Sequence, residues 1–136
     1  MDLAITGSVY NRMVEAARKA VPNEACGLLG GVDGVASMFY ELRNADESNE
    51  HYTMLPEEQF AAVKEMRADG KRMLAIWHSH PETPARMSEE DLRLAFTPDV
   101  VYVIVSLADE TGVSVGGFIV EDGVPSRVEV NLDDTI

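Results

Sequence analysis

The apolar run Met73-Leu74-Ala75-Ile76-Trp77 reads as a buried strand, and it ends directly in His78-Ser79-His80. On a strand, residues i and i+2 face the same side, with Cα atoms roughly 6.5 Å apart. Two imidazoles at that spacing can converge on one ion. The chain has only three histidines, so placing two of them on one face at a strand end is a strong use of a scarce residue. Asp91 can supply a third ligand if the segment after the strand folds back over its end. Three protein ligands leave one tetrahedral position open, which distinguishes a catalytic zinc site from a structural one.

Ser88-Glu89-Glu90-Asp91, followed by Leu92, Leu94, Ala95 and Phe96, has the form of a capping box opening a short helix. Capping alone would account for Ser88 and Asp91, and a His-x-His pair by itself can sit on an exposed loop without metal. The two roles are compatible, because a helix N-terminus can point its cap hydroxyl at a metal site.

The remaining elements follow from periodicity and breakers. A strand at Leu3 to Ile5 leads through Thr6 into an amphipathic helix with Val9, Met13, Ala16 or Ala17 and Ala20 on one face, ended by Pro22. Ala25 to Leu29 and Val35 to Leu42 read as a hairpin around Val32-Asp33-Gly34. Asn44 to Tyr52 is polar, acidic and aperiodic, hence a loop. Pro56 suits the first turn of a second helix, with Phe60, Val63 and Met66 or Arg67 along one face and Gly70 as its stop. Val100 to Leu107 and Val113 to Val120 are strands around Asp109-Glu110-Thr111-Gly112, and a last strand runs from Ser126 to Val130. Three helical segments among about six strands imply an α/β fold, one mixed sheet flanked by helices, in a single domain over 1–136.

Composition narrows the function. One cysteine, Cys26, excludes an intramolecular disulfide and a thiolate-rich structural zinc site, and its apolar strand makes it core rather than nucleophile. A net charge of −13, from 24 acidic and 11 basic residues, repels phosphate backbones and disfavours nucleic-acid binding. No apolar run approaches the roughly 18 residues of a membrane span, and the first residues lack a basic, then apolar, leader pattern. The expectation is a cytoplasmic protein without membrane contact.

His-x-His, seven residues, Ser, two residues, Asp, here His78, His80, Ser88 and Asp91, resembles the JAMM signature of the MPN+ (Mov34/MPN/PAD-1) metalloproteases. A second element, a glutamate shortly before a Gly-Leu-Leu-x-Gly strand, is matched by Glu24 ahead of Cys26-Gly27-Leu28-Leu29-Gly30. Without the histidine segment, Glu24 would read as a solvated loop carboxylate. The resemblance spans nearly the whole chain and is closest to the small, free-standing prokaryotic type. It implies a fold similar to cytidine deaminase, with a curved mixed sheet. It implies one Zn²⁺ per chain held by His78, His80 and Asp91, Glu24 as general acid/base, and Ser88 as hydrogen-bond donor to the developing oxyanion.

The resemblance also implies a peptidase or isopeptidase cutting after the C-terminal Gly-Gly of a ubiquitin-like protein or a sulfur carrier of the ThiS/MoaD kind. Glycine suits such a tail because it lets an extended backbone pass close to a recessed metal. The loop Asn44 to Tyr52 and the turn Glu82 to Met87 are expected to flank the groove. His51 and Cys26 alone cannot build the second zinc site of polyubiquitin-specific members. Alternatives within the superfamily are RadC-like proteins, which usually carry Asn where Ser79 stands, and phage-tail peptidases, often fused to a second domain. A non-catalytic MPN scaffold binding a ubiquitin-like partner is the alternative of a different class. Such scaffolds typically lose metal ligands, and this chain keeps the set.

Overall fold

The computed structural model describes residues 2–133. Strand β1 (Asp2–Thr6) leads into helix α1 (Gly7–Ala20), followed by β2 (Cys26–Val32), β3 (Val35–Leu42), α2 (Pro56–Ala68), β4 (Arg72–His80), α3 (Glu89–Leu94), β5 (Val101–Ser106), β6 (Ser114–Glu121) and β7 (Val124–Asp133). The expected mixed sheet with three helices is present. Its curvature goes further than an open sheet, because β1 pairs in parallel with both β3 and β7 and closes the order β1-β3-β2-β4-β5-β6-β7 into a barrel. β7 is accordingly longer than its sequence pattern indicates, since Glu129 to Asp133 is held by β1 rather than by the hairpin with β6.

Alternation along the central strands feeds two cores. Leu29, Ala75, Trp77, Val101, Val103 and Val105 pack with Leu3, Ile5 and the α1 residues Val9, Met13 and Ala17. Leu28, Ile76 and Tyr102 face the other way and pack with Ala62 and Met66 of α2. Thr6 caps α1 by accepting from the Val9 amide at 3.2 Å. The indole of Trp77 crosses the neighbouring strand and donates to the Tyr40 carbonyl at 3.1 Å. It can do so because Gly27 stands between them, where a Cβ would overlap that carbonyl oxygen.

The buried face of α2 differs from the expectation. Phe60 is 72% exposed, whereas Met66 and the partly buried Val63 lie on the docking face as expected, joined there by Ala62. Met66 seats over Gly30, whose absent Cβ would lie 2.8 Å from the Met66 sulfur. That notch fixes the roll of the helix and turns Phe60 outward. Loss of the fully buried Met66 side chain to Ala would cost about 2–5 kcal/mol. Among the described residues, no helix is long and apolar enough to cross a membrane.

Candidate metal centre

β4 carries both histidines to its end in extended backbone, flanked by β2 and β5, with Cys26 opposite His78 on one side and Ile104 on the other. Their side chains share the face that α2 and α3 cover, and both are buried. His78 Nε2 and His80 Nε2 lie 3.1 Å apart. Asp91 reaches them from α3, with Oδ1 3.2 Å from His78 Nε2 and Oδ2 3.0 Å from His80 Nε2. One donor atom from each of the three residues falls within 4.8 Å of the others. His80 Nδ1 lies 2.8 Å from the Pro84 carbonyl, which can only accept. Nδ1 therefore carries a proton, and in the neutral ring Nε2 is the nitrogen whose lone pair is free for an ion.

Two imidazole nitrogens and a carboxylate converging in this way form an electron-rich pocket that suits a cation. Two nitrogens bound tetrahedrally at about 2.0–2.1 Å would stand about 3.3 Å apart, close to the spacing found. The donor set, borderline nitrogens with one hard oxygen and no thiolate, suits zinc. The two rings differ in protonation: at His80 the effect of burial is outweighed by Asp91 and the Pro84 carbonyl, which raise its pKa in the metal-free site. Burial, opposed by Asp91, lowers the pKa of the fully buried His78 and favours its neutral form. Burial alone would raise the Asp91 carboxyl, but hydrogen bonds from His78 and His80 hold it well below the usual carboxylate range.

Ser88 is the N-cap of α3, and the expected capping box forms: its Oγ accepts from the Asp91 amide, while its own amide donates to Asp91 Oδ2, each at 3.0 Å. The cap consumes an acceptor position of the hydroxyl and leaves its proton available. Glu24 is only 3% exposed and Oε1 has no hydrogen-bond partner. The pairing of Cys26 with His78 continues through hydrogen bonds between Ala25 and Ser79, and Glu24, the residue before, lies close enough for its carboxyl to feel His80 and Asp91. Burial pushes its carboxyl up to about 8, with His80 opposing and Asp91 adding to the shift. The three ligand candidates thus come together on one face, with the Glu24 segment beside them and Ser88 hydrogen-bonded to one of them. Cys26 is buried core, its thiol pushed up to about 12 by burial.

The description "prokaryotic homologs of the JAB domain" matches residues 6–115 of the chain. The chain belongs to this family. A CysO-cysteine peptidase of Mycobacterium tuberculosis is 33% identical over 132 residues, covering 96% of this chain and 90% of the relative. A desampylase of Haloferax volcanii is 29% identical over 102 residues, 73% of each chain. Among solved structures, a Desulfitobacterium hafniense protein superposes with a TM-score of 0.90 at 43% identity, over 98% of this chain and 94% of that one. A JAB1/MPN domain protein of Archaeoglobus fulgidus gives 0.60 at 25% identity, over 95% and 99%.

Four contributors to this JAB-domain site escape a reading of sequence alone. Tyr52 stacks on His78 with ring centroids 4.7 Å apart. Asn44 ties the loop before α2 together, donating to the carbonyls of Glu24 and His51 at 3.1 Å each and accepting from the amides of Asp46 and Thr53. Pro84 acts through its carbonyl, which carries no residue-type signal. Ser79, between the histidines, sends its side chain to the opposite face of β4. Asn44 had the one usable signal, since Asn opening a polar segment often folds a turn onto itself.

Proposed function

We propose that this JAB-domain protein is a zinc peptidase or isopeptidase that cuts after the C-terminal Gly-Gly of a ubiquitin-like or sulfur-carrier protein. The observation that carries the reading is the convergence of His78, His80 and Asp91 on one point beside the buried Glu24 carboxyl, whose Oε1 has no hydrogen-bond partner. His78, His80 and Asp91 would hold the ion. Zinc in a three-ligand site supplies a Lewis acid and makes water acidic enough to ionise near neutral pH. Glu24 holds its proton up to about 8 in the metal-free site, and the positive charge of a bound ion would favour its ionised form. Ionised, it takes a proton from the attacking water and returns it to the leaving amine, a role worth typically 10²–10⁴-fold. The Ser88 hydroxyl, still free to donate, steadies the developing oxyanion, with Asp91 keeping it oriented through the cap. No side chain is acylated, in keeping with a buried Cys26.

The names of the two relatives, CysO-cysteine peptidase and desampylase, support a ubiquitin-like or sulfur-carrier partner. A Gly-Gly tail buries little side-chain surface, so its affinity must come from the folded body that presents it. The test compares three substrates: a carrier fused through Gly-Gly to a reporter, the same fusion with the penultimate glycine changed to alanine, and the isolated tail peptide. The proposal expects fast, slow and slow cleavage. Equal rates on all three would instead describe a general peptidase without carrier recognition.

A further inference from the structure

No hydrogen bond orients the Glu24 carboxylate at Oε1, so the position of this side chain depends on how its main chain is fastened. On the loop side, the Glu24 amide donates to the Ser48 carbonyl at 2.7 Å, and Asn44 Nδ2 donates to the Glu24 carbonyl. On the sheet side the fastening is made by a single residue. The Ala25 amide donates to Ser79 Oγ at 2.8 Å, and the Ser79 amide donates to the Ala25 carbonyl at 2.9 Å. Ala25 stands one residue before β2, and the Ser79 hydroxyl serves its amide as a strand carbonyl would. Ser79 is itself fully buried and lies between His78 and His80.

We infer that Ser79 is a positioning residue, whose hydroxyl locks the Glu24 segment to the strand that carries the imidazole pair. The inference rests on the reading of Glu24 as the group that handles the proton. Through this clasp, β4 sets the place of His78 and His80 with one face and that of Glu24 with the other, through Ser79. Carboxylate and imidazoles then move as one body. Misplacing a reacting group by about 1 Å can cost 10²-fold, and the Ser79 hydroxyl is the sheet-side contact that guards against it.

The experiment measures Ser79→Ala in both the Glu24 and the Glu24→Gln backgrounds, on the carrier fusion joined through Gly-Gly to a reporter. It is accompanied by zinc affinity and by amide hydrogen exchange of the metal-free protein. The expected result is a roughly 10- to 100-fold lower kcat with KM and zinc affinity unchanged when Glu24 is present, and no further loss when it is Gln. Exchange at the Ala25 amide should quicken at least tenfold, with β5 unaffected. An equal loss in both backgrounds, a fall in zinc affinity that matches the loss of rate, or unchanged exchange at Ala25 would overturn the inference. If the wild type leaves the fusion intact, or Glu24→Gln cuts as fast as wild type, it is the proposed function that fails. The exchange at Ala25 then still decides whether Ser79 holds the segment.

Discussion

Ser88 and Asp91 are bonded to each other twice: the hydroxyl of Ser88 accepts from the Asp91 amide, and the same Asp91 oxygen that receives the Ser88 amide also lies 3.0 Å from His80. The helix cap and the candidate metal site therefore share a carboxylate. Ser88→Ala should cost about 1 kcal/mol of stability through the lost cap. If the hydroxyl also serves the oxyanion, turnover should fall roughly 10²–10³-fold with the metal retained. Melting temperature, metal content and rate per folded molecule separate the two. A lowered melting temperature with a nearly unchanged rate would leave Ser88 a cap alone.

His78→Ala and His80→Ala should each lose the metal and with it the activity, whereas Glu24→Gln should keep the metal and lose turnover. Elemental analysis of each purified variant checks this. Equal metal loss in Glu24→Gln would make Glu24 a ligand or a structural residue.

The raised pKa of Glu24 predicts a pH-dependent stability of the metal-free protein. The folded state holds this proton up to about 8, while the unfolded chain releases it near 4.5. Stability from the buried neutral carboxyl is thus fully present below about 4.5 and declines as pH rises towards 8. Glu24→Gln has no proton to lose, so it should gain on the wild type through that window and hold a constant lead above it. Melting curves of both metal-free proteins from pH 5 to 9 give the comparison. Parallel curves would show that the site ionises as freely as in the unfolded chain.

The fold class was legible because each element carries its own local pattern: a strand of alternating or continuous apolar residues, Pro56 at a helix start, Gly70 at its end. The candidate ligands were legible because strand periodicity puts His78 and His80 on one face whatever surrounds them. Barrel closure was not, since nothing local in Asp2 to Thr6 states that it will pair with Glu129 to Asp133. The outward turn of Phe60 depends on a notch at Gly30, on a different element. The support given by Pro84 and by Ser48 passes through backbone carbonyls, which every residue possesses.

Gly27→Ala should be severely destabilising despite adding one methyl group. The new Cβ would meet the Tyr40 carbonyl and the Trp77 indole, which together lock three strands. Relief requires β2 to shift, and β2 places Cys26 opposite His78. Overpacking of this kind costs typically 1–3 kcal/mol or more. Thermal unfolding of the variant and its metal affinity should both fall, and an unperturbed melting temperature would contradict the packing described for Trp77.

The central claim, that one ion held by His78, His80 and Asp91 makes this protein a peptidase, is tested most directly by titrating zinc into the metal-free protein while following cleavage of the Gly-Gly carrier fusion. The account predicts no cleavage without metal and a rate that rises linearly and levels at one zinc per chain. Full activity in the presence of a chelator, or no activity at saturating zinc, would contradict it.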